Sequence, residues 1–90
     1  MKTIWKFSLE IKDEQEVLIP KKSKFLSLIE QSGIPTIYYL VNPDNLKEHK
    51  RFIILGTGHV HTDNDLNGLV FLGTVNCPPF VWHVFEKEGK

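Results

Sequence analysis

Turn signals divide this chain into pieces too short for stable helices. Lys12-Asp13-Glu14, Pro20 with Lys21-Lys22-Ser23, Ser32-Gly33, Asn42-Pro43-Asp44-Asn45, Gly56-Thr57-Gly58 and Cys77-Pro78-Pro79 punctuate it from end to end. Each is rich in residues that preset or tolerate turn dihedrals. Except for the stretch from His59 to Asn76, which turn formers from Thr62 to Asn67 break again, the runs between them hold fewer than the ~12–15 residues a helix needs to stand alone. They are rich in Val, Ile, Phe, Tyr and Trp, which suit a pleated surface. The first run shows the period directly. Thr3, Trp5, Phe7, Leu9 and Ile11 share one side, while Lys6, Ser8 and Glu10 share the other, with Ile4 the one apolar residue on the wet face. Period two of this kind is a half-buried strand.

The later runs follow suit. Glu16–Ile19 is a short strand stopped by Pro20, which has no N–H for a ladder. Lys24–Gln31 fits a strand or a short helix by spacing, and the Ser32-Gly33 hairpin signal after it favours the strand. Ile34–Val41 is apolar on both faces, as a central strand is. Asn45 caps at most one helical turn over Leu46–His49. Arg51–Leu55, Leu69–Asn76 (with Gly73 at a bulge) and Phe80–Lys87 complete the set. The last run is apolar on both faces too, so it lies inside a sheet or one face is covered by a second copy. The expectation is an all-β fold, a small antiparallel sandwich or barrel of about seven short strands. Ninety residues without an internal linker make one domain, 1–90.

Charge narrows the partners. Eleven Lys and Arg balance eleven Asp and Glu, so the basic face of a duplex DNA binder is not expected. Local clusters remain at Lys21, Lys22 and Lys24 and at Lys47, His49, Lys50 and Arg51. A lone Cys77 forms no internal disulfide and no cysteine-based zinc cluster. No signal-type apolar run opens the chain, and nothing approaches the ~20 apolar residues of a membrane helix. Cytoplasmic residence without a cofactor is the expectation.

The segment Gly56–Asp65, GTGHVHTDND, is the most unusual. In extended backbone His59, His61, Asp63 and Asp65 point the same way, as zinc ligands do, and His83 is available as another. Turn formers from Thr62 to Asn67 equally fit a hydrogen-bonded loop. Gly56 and Gly58 permit close approach of backbone N–H groups to an anion, with Thr57 and His59 beside them. The same glycines fit a bulge or a sharp corner. The phosphate-loop pattern for nucleoside triphosphates is absent. Adjacent Tyr38 and Tyr39 point to opposite faces, so one is free to stack on a ligand ring. No nucleophile is supported: Cys77 precedes two prolines, and Ser, His and Asp form no recognisable elbow.

The segments WKFSLEI, LIP, GIPTIYYLVNPD, GTGH and FVWHVFE, in that order from Trp5 to Glu86, resemble a family of small proteins of unknown function found in phages and prophages. The resemblance implies a context in which tiny proteins blunt host defence, several by sequestering nucleotide signals. Together with the residues, it points to a non-enzymatic, homo-oligomeric protein that sequesters a small anionic, nucleotide-derived immune signal. Gly56, Thr57, Gly58 and His59 would meet phosphate; His61, His83 and Tyr38 or Tyr39 would line the pocket; Lys22, Lys24 or Arg51 would neutralise charge. Two alternatives stand beside it. One is an interaction module that inhibits a host or phage protein through the last strand. The other is a metal-dependent hydrolase on His59, His61, Asp63 and His83.

Overall fold

The structure, a computed structural model, describes residues 1–88. Seven strands run β1 (Thr3–Ser8), β2 (Glu14–Pro20), β3 (Lys24–Gln31), β4 (Ile34–Val41), β5 (Lys47–Gly56), β6 (Leu69–Cys77) and β7 (Phe80–Lys87), with a 3₁₀ turn at Asn64–Leu66. All pairings are antiparallel. They form a three-stranded sheet, β1-β4-β3, and a four-stranded sheet, β2-β5-β7-β6. The two sheets make a small sandwich and not a closed barrel. β4 and β7, the two runs apolar on both faces, are both interior strands.

Alternation dictates what meets in the middle. Trp5, Tyr39 and Phe25 are cross-strand partners, as are Phe7, Ile37 and Leu28. The second sheet answers with Phe52 and Ile54 of β5, Val84 of β7 and Ile19 of β2. Ile37, Phe52, Ile19 and Val84 lose all solvent exposure, each worth about 1.5–3 kcal/mol of apolar burial. Tyr39 is the hub. Its ring makes edge contacts with Phe7, Phe25 and Phe52, at centroid distances of 6.2, 5.6 and 6.5 Å.

The turns match their residues. Ser32 and Gly33 both take positive φ, 54° and 80°, as a two-residue type I′ hairpin requires. The ladder between β6 and β7 slips between Phe71 and Gly73, the bulge expected there. A β-carbon on Gly73 would stand 3.2 Å from Leu28 Cδ2, so at the bulge β6 packs closely on β3 of the other sheet.

Two local expectations are corrected. The first strand leaves its ladder after Ser8. Leu9 is still buried, but Ile11 is 46% exposed. And Leu46–His49 is no helical turn, because Lys47 begins the ten-residue strand β5. Its inward residues include Glu48 and Lys50, and Lys50 Nζ lies 3.5 Å from Glu48 Oε2 and 3.2 Å from Glu86 Oε2. The ions that mask the hydrophobic pattern thereby satisfy one another inside the sandwich mouth. No helix among the described residues is long and apolar enough to cross a membrane.

Candidate functional site

The glycine corner closes β5, where Gly56 pairs with Trp82 of β7. The His59 and Trp82 rings crowd Gly56. A β-carbon there would lie 2.7 Å from Cε1 of His59 and 3.1 Å from Cζ3 of Trp82. The turn that follows, with His59 N bonding Gly56 O at 3.4 Å and Gly58 at φ +87°, folds the imidazole back onto the glycine. Neither ring nitrogen of His59 is hydrogen-bonded among the described residues.

Beside this ring is an open cleft of about 370 Å³, lined by Gly56, Thr57, His59, Phe80 and Trp82 among others. That volume lies within the range of small-molecule sites. Phe80 and Trp82 present tilted rings, centroids 5.5 Å apart, and Phe80 is 58% exposed. A second cavity of about 170 Å³ also touches Gly56, His59 and Trp82 and adds Lys12, Asp13, Ile11 and Ile54. The segment bearing Lys12 is pinned by Ile54 N donating to Asp13 O at 3.1 Å.

Thr57 is held in place. Its Oγ1 lies 2.7 Å from His83 Nε2, and His83 Nδ1 lies 2.9 Å from Thr74 Oγ1. Both nitrogens of His83 thus meet hydroxyls, and this histidine reaches the cleft only through Thr57. His61 turns elsewhere, toward a separate cavity with Ile53, Leu55 and Leu66, and its Nε2 is buried without a partner among the described residues. The loop ahead of Leu66 is self-bonded: Thr62 N donates to Asp65 Oδ2 and Asp65 N to Thr62 Oγ1, both at 3.2 Å. The Thr62 N–H holds the Asp65 carboxyl below its ordinary range. Among the described residues no three His, Cys, Asp or Glu side chains converge as a metal set. The His59, His61, Asp63 and Asp65 array read from alternation, with His83 as a further ligand, forms no such set: the His59 and His61 ring centroids are 6.5 Å apart, Asp65 is bonded to Thr62, and His83 is held between Thr57 and Thr74.

The remaining expected residues part from the corner. Tyr39 is 1% exposed and its hydroxyl donates to Glu86 Oε1 at 3.1 Å, so it packs the core and does not line a pocket. Tyr38 faces outward from the other sheet and donates to Gln31 Oε1 at 2.9 Å. Arg51 is committed to Glu14, with Nε 2.8 Å from Oε2. Lys22 sits in the β2–β3 turn and Lys24 opens β3. That turn adjoins the far end of β5, where Lys21 N donates to Leu46 O. The full length of β5, roughly 30 Å at ~3.3 Å per residue, separates it from Gly56. Charge neutralisation at the corner by Lys22, Lys24 or Arg51 is therefore corrected. Phe80, Trp82 and Lys12 line the cavities at the corner instead. The pairing of Gly56 with Trp82 reveals the two aromatic residues and the Ile54–Asp13 backbone bond reveals Lys12, and neither is written in local sequence. Cys77 is buried, and burial followed by the Glu30 charge pushes its thiol up, away from nucleophilic reactivity.

A family model, a domain of unknown function named DUF7352, matches residues 1–90. The chain belongs to that family. No curated protein and no solved structure matches this DUF7352 chain.

Proposed function

We propose that this DUF7352 protein is a non-enzymatic binding module that takes a small ring-bearing ligand with an anionic or hydrogen-bonding group into the cleft at Gly56, Thr57, His59, Phe80 and Trp82. The observation that carries this reading is that a His59 imidazole without a hydrogen bond among the described residues and the Phe80–Trp82 rings line one cleft. Aromatic faces stack on planar rings with little regard to their identity, and an imidazole beside them supplies a polar anchor. A nucleotide-derived immune signal, sequestered in a phage-infected cell, is the ligand class that the resemblance in the sequence favours. The dispersal of cations makes a ligand with one compact charge a better fit than one with several phosphates. Isothermal titration against cyclic dinucleotides, cyclic trinucleotides, ADP-ribose isomers and nucleoside monophosphates tests the proposal. Saturable binding by one of them, weakened at least tenfold by Phe80→Ala, supports it. No binding tighter than high micromolar across the panel removes it.

One observation favours a second reading. Phe71 of β6 is 57% exposed and lies against Phe85 of β7, ring centroids 5.3 Å apart, so an aromatic pair stands on the outer face of the β6–β7 hairpin. The hairpin then contacts a second copy or an inhibited protein. Light scattering from the wild type and from Phe71→Ser separates self-association from a monomer that waits for a different partner.

A further inference from the structure

We infer that the two cavities on either side of His59 are lobes of one site, with His59 as the movable partition and Lys12 as the anion contact; this rests on the binding function proposed above. Three residues, Gly56, His59 and Trp82, line both cavities. Gly56 is backbone, and Trp82 is packed against the core. His59 is exposed, and no hydrogen bond holds its ring among the described residues. Of the three walls it is the one that turns at little cost, because exposed side chains change rotamer within nanoseconds.

The lobes differ in chemistry. The larger is aromatic, floored by Phe80 and Trp82. The smaller, about 170 Å³, has the volume of roughly five or six waters. That is under half the volume of the larger lobe and is room enough for a phosphoryl or carboxylate group. It holds one cation, Lys12, whose ammonium lies 3.7 Å from Glu10 Oε1 in a pair more than half exposed on both sides. Exposed pairs of this kind are weak, so Lys12 is free to exchange Glu10 for a ligand. Asp13 lines the same lobe and opposes additional negative charge. The resulting specificity is for a planar ring joined to a single compact anionic group at the length of a nucleoside monophosphate, with the ring on Phe80 and the anion between Lys12 and His59.

Titration of the intact protein with adenosine 5′-monophosphate, adenosine and inorganic phosphate, monitored by amide and indole NMR shifts, tests this assignment. The monophosphate is expected to bind at least tenfold more tightly than adenosine, shifting the Lys12 and Trp82 signals together. Lys12→Gln is expected to erase that difference, weakening the monophosphate about tenfold while leaving adenosine unchanged. The variant's melting temperature confirms that it is folded. If adenosine and the monophosphate bind equally and Lys12→Gln is silent, the two-lobed site is refuted while the aromatic cleft stands. If no ring compound perturbs Trp82, the cleft itself fails as a site for this class and the assignment falls with it.

Discussion

The hydroxyl of Tyr39 donates to Oε1 of Glu86 at 3.1 Å, tying β4 of one sheet to β7 of the other. Lys50 Nζ approaches the second oxygen of Glu86 at 3.2 Å, so the carboxylate is held by a phenol and an ammonium at once. Tyr39→Phe keeps the ring and removes the donor. A hydrogen bond to a charged group is worth about 1.5–3 kcal/mol, and ~1 kcal/mol moves the melting point of a domain this size by roughly 4–8 °C. Thermal denaturation at pH 7 should therefore show a fall of about 10 °C. A change under 2 °C excludes a stabilising role for the bond.

The same phenol sets a response to alkali. Burial first, then the charge and hydrogen bond of Glu86, raise the Tyr39 pKa far above its ordinary 10.0. Above pH 10 the unfolded chain releases this proton and the folded chain keeps it. The folded state then binds more protons than the unfolded, and stability falls as pH rises. Stability from this group is complete below pH 10 and declines beyond it. Urea denaturation at pH 8 and pH 11 should show a loss in the wild type that is smaller in Tyr39→Phe. Equal losses contradict the assignment.

Lys50 is the counterpart of that bond. Lys50→Met leaves Glu86 and Glu48 without their shared cation and should cost about 1–3 kcal/mol in chemical denaturation at pH 7. Replacing the pair together, Lys50→Met with Glu86→Leu, should recover part of the loss, since no carboxylate is then stranded at position 86. A double variant no better than the single one shows that the pair is not coupled.

How the sequence foretold this fold, and where it stopped, follows from what local pattern encodes. The alternation from Thr3 to Leu9 records which faces are buried, and Ser32-Gly33 records a turn that needs positive φ at both positions. The opening of β5 was hidden because its inward residues are Glu48 and Lys50, and ions that satisfy each other leave no hydrophobic trace. The glycine corner was visible as a place but not as a set. Its true neighbours, Trp82 and Phe80, arrive through strand pairing, and Lys12 through one backbone bond to Ile54. The expected cations failed because proximity in charge pattern says nothing about which end of a strand a turn occupies.

Gly56 and His59 offer a direct test of the corner. A β-carbon at 56 collides with the imidazole at 2.7 Å, but the obstacle is the free end of an exposed side chain, which yields cheaply. Gly56→Ala should stay folded, losing roughly 1 kcal/mol or less, while the His59 ring signals shift in carbon-detected NMR. In His59→Ala, the same glycine substitution should cost less still, because the two sites are in contact and their effects are not additive. Identical costs in both backgrounds show that His59 does not occupy the place of the missing β-carbon.

The central claim is that the cleft between His59 and the Phe80–Trp82 rings receives a small ring-bearing ligand and leaves it unchanged. The most direct measurement is mass spectrometry of small molecules released on denaturing protein that was incubated with a defined nucleotide mixture and desalted. One intact ring-bearing species should be recovered in stoichiometric amount and be absent from Phe80→Ala treated identically. Recovery of a chemically altered species, or of none above the Phe80→Ala background, contradicts it.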